Sequence, residues 1–337
     1  MGCCESKNLS NRDRHDVKRL EEAIMFGDNK RVIHFLNRMS EISPTGIDIN
    51  DFTFYSGKIT LNIPGFCILH GKHELFQELY ENYFISIHKL EENFGKYGLS
   101  ALTILCSKGY YDLLKYYLPL SLSIDPSIYL NSYSLSALNL PLPNEKYEKI
   151  TYTPIQLACF YGHINCVKTI LDYFHDSDIP WWMSINYPDT TTGENCALIS
   201  CRGGNFPIIK YLYTHCDADY KQLSATNENA LQLFLSSSKS HKTPDILKIV
   251  WYLLDMVKID LNHNIEKTLS ICQNKEAYNY IKSKHQAETQ IFFDKLSSEK
   301  TRISQSSLSL NSIFFNTSSI SSFHCGEISD SDSFLRN

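Results

Sequence analysis

The residues with the clearest chemical potential stand at the N-terminus. The chain opens Met1-Gly2-Cys3-Cys4-Glu5-Ser6-Lys7, and Met-Gly-x-x-x-Ser/Thr is the acceptor signature for N-myristoylation. Removal of Met1 would expose the Gly2 amine, and Cys3 and Cys4 beside an acylated glycine are natural palmitoylation acceptors. Membrane energetics give all three a purpose. One myristoyl chain holds a protein to a bilayer only marginally, with an association constant of about 10⁴ M⁻¹, and each further buried CH₂ adds about 0.8 kcal/mol. Over residues 7–19, Lys7, Arg12, Arg14, Lys18 and Arg19 outnumber Asp13 and Asp16, an excess that favours an anionic leaflet. The expectation is a lipid anchor at Gly2, Cys3 and Cys4 on a flexible tether, residues 1–16. The protein would then sit on the cytoplasmic face of a membrane, with a cytosolic pool.

Other reactive residue types are scattered. There are eleven Cys and no Cys-x-x-Cys pair. Residues 1–22 are polar and charged, without the apolar core of a signal peptide, so a secreted disulfide framework is not expected. Cys106, Cys159 and Cys201 fall at one position of a recurring segment. Packed helices lie about 8–10 Å apart, whereas a disulfide needs Cβ atoms about 3.5–4.5 Å apart. The column is therefore read as small buried side chains, not as a metal or redox site. His70 and His73 flank Gly71 without a third ligand. Phosphate-binding loops, nucleophile elbows, kinase signatures and His-Glu-x-x-His are absent from the sequence. The expectation is a non-enzyme with no catalytic residue, metal, cofactor or small-molecule substrate. Near the C-terminus, Arg302-Ile303-Ser304 and Ser329-Asp330-Ser331-Asp332-Ser333 read as kinase sites, which marks Ser304 and Ser329 as phosphorylation candidates.

The elements that would position these groups follow from apolar periodicity. Hydrophobic residues make up 43% and charged residues 20% of 337, and the net charge is −5. That composition suits a folded domain, and it lacks the basic footprint that nucleic acid requires. The clearest unit is Thr153-Pro154-Ile155-Gln156-Leu157-Ala158-Cys159-Phe160-Tyr161-Gly162-His163, followed by Val167, Ile170 and Leu171 at helical spacing. Thr153 is placed to cap a helix, Pro154 to occupy its first turn, and Gly162 to end it. Segments ending at Gly27, Gly71, Gly109 and Gly204 keep the same offsets, and a sixth has Ser238 in place of the glycine.

This unit resembles the ankyrin repeat, whose pattern is Thr-Pro-Leu-His-x-Ala-Ala-x-x-Gly-His followed by a second helix. Ile47-Asp48-Ile49-Asn50, Ser184-Ile185-Asn186 and Ile259-Asp260-Leu261-Asn262 resemble the turn that closes each repeat. The resemblance covers about residues 17–285. It implies an all-α ankyrin-repeat solenoid of about six helix-turn-helix repeats, with short hairpin-like turns and a C-terminal cap over Thr268–Ile281. Loops would be enlarged at 119–150 and 172–184, and 286–337 would be a Ser-rich disordered tail. The resemblance further implies binding of a partner protein along the concave surface, that is, the hairpin tips and first helices. Asp189, Thr191, Glu194, Trp181 and Trp182 would contact that partner. The leading function is a membrane scaffold or adaptor; the alternative is an inhibitor or regulator of a signalling enzyme at the membrane.

Overall fold

The computed structural model describes residues 11–42, 49–50, 52–56, 58–125, 131, 133–134, 151–177, 185–237 and 246–315. These fall into two units, one within residues 1–281 and one from Lys282 onward. The first is built mainly of helices taken in pairs: α1 (Asn11–Phe26) with α2 (Asn29–Ile42), α3 (Ile63–Leu69) with α4 (His73–Asn82), and α6 (Ala101–Lys108) with α7 (Tyr111–Leu122). There follow α8 (Pro154–Tyr161) with α9 (Ile164–Asp176), and α10 (Cys196–Arg202) with α11 (Phe206–His215). Then come α12 (Ala230–Ser237), α13 (Ile246–Trp251) running on into a π turn at Tyr252–Met256, α14 (Ile265–Ile271) and α15 (Lys275–Phe315). Two further pieces were not apparent from periodicity. Strands β1 (Thr53–Ser56) and β2 (Ile59–Asn62) form an antiparallel hairpin leading into α3. Helix α5 (Ile87–Gly95) lies between the second and third pairs.

Each first helix packs on the next, in the series α1, α3, α6, α8, α10, α12, α14, while α4, α7 and α9 pack in a parallel series. Local sequence explains where the first helices begin. Asn62, Ser100, Thr153, Asn195, Asn229 and Asn264 each accept a backbone N–H from three residues on, which satisfies a donor the helix cannot. Several of these caps also reach between segments. Asn195 Nδ2 donates to the Asp219 carbonyl and Asn229 Nδ2 to that of Asp260. In the closing turns, Asn50 accepts from Ser86 N–H and Asn186 from Asp219 N–H.

The ends of the first helices show why glycine recurs. Gly27, Gly71, Gly109, Gly162 and Gly204 all have φ between 65° and 85°, a region costly to residues with a Cβ. Space is a second constraint. The side chain that follows each glycine lies over the glycine of the preceding pair. A Cβ on Gly71 would meet the Tyr110 ring at 2.8 Å, one on Gly109 the His163 ring at 2.5 Å, and one on Gly162 the Asn205 amide at 2.6 Å. His163 Nε2 is 3.1 Å from the Ser107 carbonyl, and Asn205 Nδ2 donates to the Cys159 and Phe160 carbonyls at 2.9 and 2.6 Å. These bonds serve the carbonyls that a helix end leaves unpaired.

Several expected boundaries move. Helix α1 starts at Asn11 and not near Val17, so residues 11–16 belong to a helix and not to the tether. Helix α7 runs through Pro119 to Leu122, and α9 extends to Asp176, so both enlarged loops start later than 119 and 172. Within the first loop, β3 (Tyr133–Ser134) pairs with β4 (Thr151–Tyr152). The expected half-repeat cap holds two helical segments, α14 and the start of α15. The expected disorder from 286 is overturned as far as Phe315, because α15 continues that far.

A paired substitution separates backbone strain from crowding. Gly98 has φ +65° and open space where a Cβ would go, whereas Gly109 has φ +77° and the His163 ring. Gly98→Ala should cost the backbone term alone, about 1–2 kcal/mol. Gly109→Ala should cost measurably more in urea denaturation. Equal losses would mean that the His163 contact has no energetic weight.

Candidate protein-binding surface

The hairpin-tip residues do not present the contacts expected of them. Asp189 is 1% exposed and Glu194 fully buried. Asp189 Oδ2 accepts from the N–H groups of Thr191 and Thr192 and from the Thr192 hydroxyl, so it shapes the turn it was expected to decorate. Glu194 forms a two-point ion pair with Arg202 on α10, with Arg202 Nε donating at 2.9 Å and Nη2 to the other oxygen; Arg202 is itself buried. Both carboxylates are thus corrected to structural roles. Thr191 is exposed, its hydroxyl 3.5 Å from that of Thr151. Ser304 falls within α15. Gly2, Cys3, Cys4, Trp181, Trp182 and Ser329 lie outside the described residues.

The first helices offer a partner little. Almost every residue of α6, α8, α10 and α12 is buried, because each is packed between two neighbouring first helices, and α6, α8 and α10 are also covered by their own second helices. The open concave surface expected of them is therefore corrected. Polar side chains on these helices are spent internally, as when Gln232 Nε2 donates to the His263 and Asn264 carbonyls and to Thr268.

One concavity is a groove of about 440 Å³ across the turns that end α1, α3 and α6. Its floor is Gly27, Gly71 and Gly109, and its walls include Lys72, His73 and Tyr111. Neither α4 nor α7 receives a side-chain cap at its start; the His73 and Tyr111 N–H groups donate instead to the Gly71 and Gly109 carbonyls. Tyr111 is 42% exposed. The pattern was available in the sequence, since the groove is lined by the residues that follow each anchor glycine. On the second helices an aromatic group runs between pairs: Tyr116 lies against His73, Phe76 and Tyr80. Lys168 sits over the Tyr211 ring at 5.3 Å. Exposed Tyr is enriched at protein interfaces and among their hot spots.

The thiols are poorly suited to chemistry. Cys106, Cys159 and Cys201 are free and fully buried, and burial pushes their ionisation up. Burial likewise raises Cys166 to about 12. A thiolate nucleophile or ligand is disfavoured in such surroundings. Among the described residues, no group of three His, Cys, Asp or Glu could hold a metal ion.

Comparison with known proteins bears on one segment. Residues 152–180 match the family model described as the ankyrin repeat. The chain carries an ankyrin repeat there. The matched segment includes β4's last residue, α8, α9 and the Gly162–His163 turn. No curated protein matches the sequence. Among solved structures, a chain from the Bd0816 predatory endopeptidase of Bdellovibrio bacteriovorus in complex with immunity protein Bd3460 is similar at 16% identity. The match covers 68% of this chain and 96% of that one with a TM-score of 0.45, too low to bear on fold or activity.

Two measurements check the assignments of buried charge. Arg202→Met leaves Glu194 buried without its partner, and should destabilise the protein by about 3–5 kcal/mol; a loss below about 1 kcal/mol would place the pair in solvent. The second concerns Glu91 on α5, which accepts from the Tyr117 hydroxyl at 2.6 Å and from Ala101 N–H at 3.3 Å. Burial raises its carboxyl from 4.5 to about 7 against the pull of those two bonds. The folded state thus holds a proton that the unfolded state has lost, so this contribution is full below about pH 4.5 and fades as pH rises through about 7. Glu91→Gln should flatten the fall in unfolding free energy across that window; an unchanged slope would assign it to other groups.

Proposed function

We propose that this chain is a membrane-anchored adaptor whose ankyrin stack holds a partner protein and performs no reaction of its own. The stack is read as about six repeats and a cap, with α14 and the start of α15 closing the series. The observation that carries this reading is the recurrence of the glycine turn. The arrangement in the matched segment 152–180, where His163 lies on Gly109 and Asn205 on Gly162, recurs at Gly71 with Tyr110. Helix pairs joined in this way cannot bury their apolar faces alone and gain stability from neighbours. An elongated stack of that kind supplies surface instead of one deep cavity. Protonated buried thiols and internally engaged carboxylates favour binding over catalysis.

The partner surface we favour is the turn-side groove and the second-helix edge beside it, because the first helices are enclosed. Attachment through acylated Gly2, Cys3 and Cys4 would confine the complex to a cytosolic leaflet and raise the effective concentration of whatever it holds. The test is fractionation of cells that make the full chain. With the membranes washed at about 1 M salt, which screens charge-held contacts, Gly2→Ala should move the protein from membranes to the soluble fraction, and Cys3→Ser with Cys4→Ser should give weak attachment. Membrane association unchanged in Gly2→Ala would overturn the anchor. In the same cells, Tyr111→Asp with His73→Asp should abolish co-purification of the partner without lowering the melting temperature; retained capture would move the surface elsewhere.

A further inference from the structure

From Lys282 onward the second unit consists, in its described part, of one continuous helix, the distal portion of α15, which reaches Phe315. Its side chains described as far as Glu299 are mostly exposed, large apolar ones included: Ile291 is 54%, Phe292 60%, Phe293 60% and Leu296 39% exposed. Exposed apolar groups in such a cluster mark an interaction surface. A helix without packing on one face also lacks the main source of helical stability.

The spacing of these residues defines the surface. Phe292, Leu296, Ile303 and Leu310 follow one another at intervals of four, seven and seven, so their register positions share one stripe. Ile291 and Phe293 lie about 100° to either side of Phe292. Cationic positions border the stripe, with Lys284, Lys295 and Arg302 along one edge and Lys282 and Lys300 along the other. The anions Glu288 and Glu299 fall between the first group and the stripe, one turn from Lys284, Lys295 and Arg302. Asp294 lies on the opposite face. Cations therefore outnumber anions here, in a chain whose overall charge is −5.

We propose that this helix is a second membrane contact, lying in the interface of an anionic bilayer with Phe292, Phe293 and Leu296 in the headgroup–acyl boundary. The chemistry is that of an interfacial helix, with an apolar face bearing Phe and Leu flanked by Lys and Arg. None of the described helices is long and apolar enough to cross a membrane, so the helix lies on the surface. Charge decides between a bilayer and a second copy. Pairing two such helices in parallel along the stripe would bring Lys295 towards Lys300, an arrangement that disfavours association. An anionic leaflet complements both cationic borders. The contact does not depend on the acyl anchor, so the two can fail separately.

The test uses the full chain carrying Gly2→Ala, so that no myristoyl group is present, with vesicles of phosphatidylcholine alone or equimolar phosphatidylcholine and phosphatidylserine. Co-sedimentation should be strong with the anionic vesicles and weak with neutral ones. It should fall as salt rises from about 0.1 M to about 1 M, where screening shortens from about 10 Å to about 3 Å. Phe292→Gln with Phe293→Gln should lower partitioning at least about tenfold, with an unchanged melting temperature because both side chains are exposed. Absence of binding to anionic vesicles would overturn the proposal, as would equal binding by the Gln variant. A concentration-dependent dimer in analytical ultracentrifugation, abolished by the same substitutions, would assign the stripe to self-association and overturn it too.

Discussion

One steric constraint organises the first unit: the turns that end α3, α6 and α8 have no room for a side chain of their own, because the next turn's side chain occupies the place. Gly71 lies under Tyr110, Gly109 under His163 and Gly162 under Asn205. Left-handed backbone alone would select glycine or tolerate asparagine. The added close approach excludes asparagine as well, and fixes the distance between successive helix pairs. Hydrogen bonds from His163 and Asn205 to the preceding helix-end carbonyls convert that spacing into a directional link, so register passes from pair to pair without long-range sequence signals.

Two consequences reach the surface. First helices held this closely are enclosed on nearly every side, which explains why their polar groups are capping residues and internal donors. Gln156, for example, completes a capping box with Thr153 and donates to the Tyr187 carbonyl. The side chains left open lie on the turn row and the second helices, where Lys72, His73, Tyr111 and Tyr116 stand. The same enclosure suppresses chemistry: Cys106, Cys159 and Cys201 lie in the tight helix contacts, where burial keeps the thiols protonated.

Much of this architecture was legible in the sequence because it depends on local residues at fixed offsets. Thr153, Pro154 and Gly162 announce a helix start and stop by themselves, and even the weaker copy at Asn62–Gly71 obeys the same cap and turn. What escaped was information carried by partners far along the chain. Asp189 and Glu194 look like exposed tip residues until Thr192 and Arg202 are seen to claim them. Helix α5 has a short apolar pattern that a loop reading absorbs. In α15, abundant Ser obscured a stripe that recurs every seven residues, and Ser alone does not prevent a helix. Pro119 sits inside α7 where sequence rules would end it.

The central claim is that consecutive turns are coupled through the glycine and the side chain resting on it. A double-mutant cycle on Gly162 and Asn205 measures that coupling directly. The atoms crowding a Cβ at Gly162 all belong to the Asn205 amide, and Asn205→Ala removes them. Gly162→Ala should therefore cost less free energy of unfolding in the Asn205→Ala background than in the natural chain, by about 0.5 kcal/mol or more. Costs that add to within about 0.3 kcal/mol would show that the turns do not bear on each other, and would contradict the stack.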